Sequence, residues 1–118
     1  MRFMYIVTSA HSGPPTPELM GAMHKLADRE IKAGRMLDSG GLMPLAGGAQ
    51  VRITDGQLSV VDGPFVETKE VIGGYAIFEL PGKAEALASA REFMQLHKDY
   101  MPGWEGVCEM REFAAVMA

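Results

Sequence analysis

A single cysteine, Cys108, is all the thiol this 118-residue chain carries, so no intrachain disulfide can brace it. No apolar run approaches the ~20 residues of a membrane-spanning helix. The apolar start, Met1 to Ala10, lacks a basic segment followed by a small-residue cleavage site, so no signal peptide is expected. A reducing cytoplasm is the expected compartment. Basic residues are also few: eleven Lys and Arg against fifteen Asp and Glu, a net charge of -4. They are scattered, which argues against a nucleic-acid partner, because phosphate binding needs clustered cations. The three histidines, His11, His24 and His97, show no zinc-type spacing. No phosphate loop, dinucleotide fingerprint or nucleophile elbow is present, so no metal or cofactor is expected.

What remains is a chain with 47% hydrophobic and 22% charged residues, the balance and length of one globular domain spanning 1–118. Residues Phe3 to Thr8 read as a strand with Phe3, Tyr5 and Val7 on one face and Met4 and Ile6 on the other. Both faces are apolar, so both call for cover. Thr16-Pro17-Glu18 is a helix start: a cap, proline at the first helical position, and an acid in the first turn. Leu19, Met23, Leu26, Ala27 and Ile31 form its apolar stripe, and Gly34 stops it. Arg35 to Leu42 reads as a short strand leading to a turn at Gly47-Gly48.

Val51 to Thr54 and Gln57 to Val61 flank Asp55-Gly56, the strongest short hairpin signal, since a type I′ turn needs positive φ at both centres. Pro64 ends the second strand's ladder. Gly73-Gly74 reads as a turn before a strand from Tyr75 to Leu80. Pro81 opens a second helix to about His97, with Ala86, Ala90, Phe93 and Met94 as its stripe; a last strand runs from Val107 to Phe113. The order is α+β, a ferredoxin-like βαββαβ pattern with an inserted hairpin. Two helices cover one face of such a sheet. A second copy is the simplest cover for the other, which predicts a homodimer built as a dimeric α+β barrel.

Val61-Asp62-Gly63-Pro64-Phe65-Val66-Glu67-Thr68-Lys69-Glu70 with Gly73-Gly74-Tyr75 resembles the DGPF branch of the YCII-related proteins. Arg2-Phe3-Met4, Lys32-Ala33-Gly34 with Gly40-Gly41-Leu42-Met43-Pro44, and Pro102-Gly103-Trp104-Glu105-Gly106 extend the likeness over nearly the whole chain. The resemblance implies the same dimeric barrel. Of function it implies less: the broader group includes proteins with a proposed His and Asp pair, and an enzyme that removes chloride from a chlorinated hydroxyquinol without a cofactor. The DGPF branch is often encoded beside extracytoplasmic-function sigma factors, which implies a sigma-factor-linked regulatory partner.

Asp62 is the first candidate for chemistry. At a strand end its carboxylate suits a general base, although Asp-Gly-Pro also suits a plain turn. His24 lies about 140° round the first helix from Leu19, at the edge of the stripe, where a half-buried imidazole can exchange protons or simply sit at the surface. Arg52, on the hairpin face opposite Val51 and Ile53, and Tyr75 are candidate substrate-binding residues for a carboxylate or phenolate. Glu30 falls about 20° from Leu19, inside the apolar stripe, and is expected to escape to solvent at the helix end. His97 is expected to be protonated against the helix C-terminus. Trp104 reads as an anchor for the last loop or an interface residue, and Cys108 as a small core residue rather than a reactive thiol. Three functions fit: a cofactor-independent lyase or isomerase acting on a small organic acid or phenol, a non-catalytic small-molecule binding or regulatory module, or a plain interaction protein.

Overall fold

The computed structural model describes residues 1–10, 13–62 and 71–115. Strand β1 (Arg2–Ser9) leads through helix α1 (Pro17–Lys32) to β2 (Met36–Gly41). A short 3-10 turn at Leu45–Gly47 precedes the hairpin β3 (Gln50–Thr54) and β4 (Gln57–Val61). Then come β5 (Val71–Glu79), α2 (Lys83–Tyr100) and β6 (Gly106–Glu112). Four strands form one antiparallel sheet in the order β2-β5-β1-β6, and the hairpin forms a separate two-stranded sheet. With the hairpin set aside, this is the ferredoxin-like order of an α+β domain, as the pattern predicts.

Local chemistry explains the elements. Thr16 Oγ1 accepts from Leu19 N at 3.2 Å and donates to Tyr100 O at 2.8 Å, so one hydroxyl caps α1 and ties it to the end of α2. Asp55 and Gly56 both take positive φ, 52° and 76°, as the type I′ turn requires. The core lies between helices and sheet: Phe3, Tyr5, Phe78, Leu80, Ala86 and Ala90 are buried together. Tyr5 Oη donates to Ala86 O at 2.7 Å, which satisfies the one polar atom that β1 sends into that layer.

Several expectations are corrected. Gly73-Gly74 is not a turn but lies inside β5, which begins at Val71. Glycine serves there by close approach, since a Cβ on Gly74 would meet Gly40 O at 3.1 Å. On α1 the stripe ends before Ile31, which is 57% exposed, while Glu30 is buried. The second helix starts at Lys83 and runs one turn past the sequence reading, to Tyr100. No helix among the described residues is long and apolar enough to cross a membrane.

Among the described residues, no helix lies over the second sheet face. Register places Met4, Ile6, Tyr75 and Ile77 there, opposite in sense to Phe3, Tyr5, Ala76 and Phe78. The hairpin is likewise two-sided. Val51 pairs with Val60 and Ile53 with Leu58 on one face, each two-thirds to three-quarters exposed. Gln50, Arg52 and Ser59 belong to the other.

Candidate functional site

Among the described residues, three places bear on function. On the open sheet face, Tyr75 Oη donates to Asp38 Oδ2 at 2.9 Å. Gly40 makes this possible. It stands directly across the ladder from Tyr75, and a Cβ on it would lie 3.1 Å from the ring. The phenol therefore lies across β2 and reaches Asp38, two residues back on the same face. The Asp38 carboxylate raises the Tyr75 pKa, first through the hydrogen bond and then through its charge, so the hydroxyl stays protonated and donating. Asp38 escaped the sequence reading because nothing in its neighbourhood, Met36-Leu37-Asp38-Ser39, marks it as facing an aromatic hydroxyl from a distant strand.

The other sequence candidates stand apart. Arg52 lies exposed on the hairpin and donates to Gln50 Oε1 at 3.0 Å. Asp62 is exposed just beyond β4, and the Gly63-Pro64-Phe65 part of its motif lies outside the described residues, as does His11. His24 is exposed rather than half-buried, because the neighbouring Met23 and Leu26 take the inward positions of α1. Neither Asp62 nor His24 has a hydrogen-bonding or ionic partner among the described residues.

A second cleft, of about 460 Å3, opens between α1, α2 and the end of β5. Glu30 is its buried charged member. Arg35 holds it through Nε at 3.0 Å and through Nη2, and Arg29 Nε lies 3.5 Å away. Arg29 also forks onto Glu92 at 2.9 and 2.5 Å, joining the two helices and holding the Glu92 carboxyl below its usual range. The expected escape of Glu30 to solvent is thus overturned. Gly34, at φ 76°, reverses the chain after α1 and places Arg35 back over the buried carboxylate. These charges already compensate one another, which makes the cleft a brace rather than an anion site.

The third place is the end of α2. His97 is 7% exposed, edge-on to Phe93 at 4.7 Å and tilted against Trp104 at 4.4 Å. Burial pushes its pKa down, so it is not the protonated helix cap expected from its position. Trp104 anchors the last loop as predicted, and it fits because residue 106 is glycine. A Cβ there would meet Thr8 O and Trp104 Cζ2, each at 2.6 Å. Cys108, half-buried behind this loop, has a thiol pushed up to about 11 by burial, the behaviour of a core residue. Among the described residues no three His, Cys, Asp or Glu side chains gather where they could hold a metal ion.

Comparison with known proteins supplies a family. An uncharacterized protein of Rhizobium meliloti (strain 1021) is 33% identical over 86 residues, 73% of this chain and 69% of that protein. The family model of the YCII-related domain matches residues 1–98, from β1 through most of α2. The antiparallel sheet, the two helices on one face and this match agree, and the chain belongs to the YCII-related family.

Proposed function

We propose that the chain works as a homodimer in the cytoplasm, binding a small organic acid or phenol at its open sheet face and moving a proton on it without a cofactor. The observation that carries this reading is the Tyr75–Asp38 hydrogen bond on that face. A protonated phenol beside a carboxylate offers a donor and an acceptor within one ligand's reach, the minimum for acid–base work. Around the pair lie Met4, Ile6 and Ile77, apolar surface that a second copy would keep dry. The hairpin's exposed apolar face gives the same dimer an arm to lay across its partner, closing the sheets into an α+β barrel. In this reading Asp62 is a further proton carrier and Arg52 a ligand contact, each brought to the ligand by the assembled dimer, while His24, exposed on α1 on the helix side of the sheet, takes no part. The run from Asp62 to Phe65 supports a place in the DGPF branch.

A second reading is binding without turnover, as a regulatory module linked to an extracytoplasmic-function sigma factor. The exposure of Asp62 and His24 favours it, since an acid or base in open water lacks the environment that tunes it for catalysis.

A thermal-shift screen of phenols and small acids, followed by chromatography of any hit after long incubation, separates the two. A ligand at ~100 times its dissociation constant stabilises the fold by about 2.7 kcal/mol. A hit lost in Asp38→Asn and Tyr75→Phe, and converted by the wild type, supports the enzyme. A hit bound but never converted supports the module. Hits that survive both substitutions remove the open sheet face from the account.

A further inference from the structure

The cleft at the end of α2 takes no part in the reading above. It is an open groove of about 310 Å3 between that helix and the loop leading to β6, near the lower end of the range for small-molecule sites. Met94, His97, Lys98, Met101, Trp104 and Glu105 line it, with the backbone of Gly103 and Gly106 between.

His97 Nδ1 lies 3.1 Å from Phe93 O. A carbonyl only accepts, so Nδ1 carries the hydrogen and Nε2 carries the lone pair. Nε2 has no hydrogen-bond partner among the described residues, yet no partnerless side-chain nitrogen or oxygen among them is sealed from solvent. His97, more than nine-tenths buried, thus keeps an acceptor in contact with solvent, and it is one of the residues that line the cleft. Its plane is fixed from two sides, by Phe93 and by Trp104, so the lone pair holds one direction.

We propose that this cleft binds a small neutral hydroxylated aromatic ring, of the phenol class, whose hydroxyl donates to His97 Nε2. Trp104 and the thioethers of Met94 and Met101 supply the aromatic and polarizable surface that such a ring contacts. Lys98 and Glu105 bring opposite charges to the lining, so the site has no net charge to favour an anion. This selects a phenol over a carboxylate. The buried acceptor selects it over a ring without a donor, which would leave Nε2 unpaired.

Trp104 is the chain's single tryptophan, so its emission reports on this cleft alone. The test titrates phenol and anisole into wild type, His97→Leu and Tyr75→Phe. The expected result is a saturable change with phenol in the millimolar range, at least about tenfold weaker with anisole. Tyr75→Phe keeps that difference, because the open sheet face is a separate site, and His97→Leu abolishes it. A wild type that binds phenol and anisole equally, or shows no saturable change, overturns the proposal whether or not His97→Leu folds. Loss of the phenol signal in Tyr75→Phe also overturns it, and moves the phenol to the sheet face.

Discussion

Arg35 closes over the carboxylate of Glu30, five residues earlier in the chain, through both Nε and Nη2, and so keeps a charge in the core that is only 4% exposed. Arg29 contributes a longer contact of 3.5 Å to the same oxygen. Arg35→Ala should therefore lower the thermal midpoint more than Arg29→Ala does, because it leaves a buried carboxylate short of two hydrogen bonds. Melting curves of the two variants, side by side, check this; the reverse order would place the brace in the Arg29–Glu92 fork.

Tyr5→Phe removes the hydroxyl that donates to Ala86 O inside the core at 2.7 Å. The variant should fold with the same secondary structure and lose about 0.5–1.5 kcal/mol in urea unfolding, the net worth of one buried hydrogen bond, since Ala86 O keeps its place in the ladder of α2. An unchanged unfolding midpoint would mean that water replaces the hydroxyl.

Gly106→Ala puts a methyl group 2.6 Å from Thr8 O and Trp104 Cζ2. The strand cannot move away without breaking the β1–β6 ladder, so the indole must shift. A destabilisation of about 1–3 kcal/mol is expected, together with a red shift of the Trp104 emission as the ring leaves His97. Emission that stays at the wild-type wavelength would show that the loop has room to adjust.

His97 titrates below its unfolded value of 6.5 because burial disfavours the charged ring. Between the two pKa values the unfolded chain binds the extra proton, so stability falls as the pH drops through 6.5 and levels off below the folded value. Above 6.5 this contribution is fully present. Chemical unfolding of wild type and His97→Gln across this window should show a steeper acid loss for the wild type; parallel curves would assign the loss to other groups.

The hairpin tests the proposed assembly. Ile53→Asp and Leu58→Asp place charges on the apolar face that the hairpin presents to solvent, far from the helix-covered core. Light scattering should report a dimer for the wild type and monomers for both variants, with circular dichroism unchanged. Dimeric variants would release the hairpin from the interface, and a monomeric wild type would remove the barrel.

Local chemistry was sufficient for most caps, turns and stripes, though not for Gly73-Gly74, whose place inside β5 the neighbouring strand decides. The Thr16-Pro17 cap, the Asp55-Gly56 turn, the alternation of Phe3, Tyr5 and Val7, and the alanine stripe of α2 are short-range steric and solvation preferences, readable in order along the chain. The element order that follows from them already implied the ferredoxin-like sheet. Tertiary structure alone decided the polar sites, because each is made by residues remote in sequence or turned by a backbone reversal. Tyr75 meets Asp38 across two strands through the gap left by Gly40. Glu30 stays inside because Gly34 turns Arg35 back onto it. His97 is held toward its neutral form because the loop after α2 brings Trp104 over it and removes most of its water. A side chain's charge state depends on what desolvates or pairs it, and that partner is chosen by the fold.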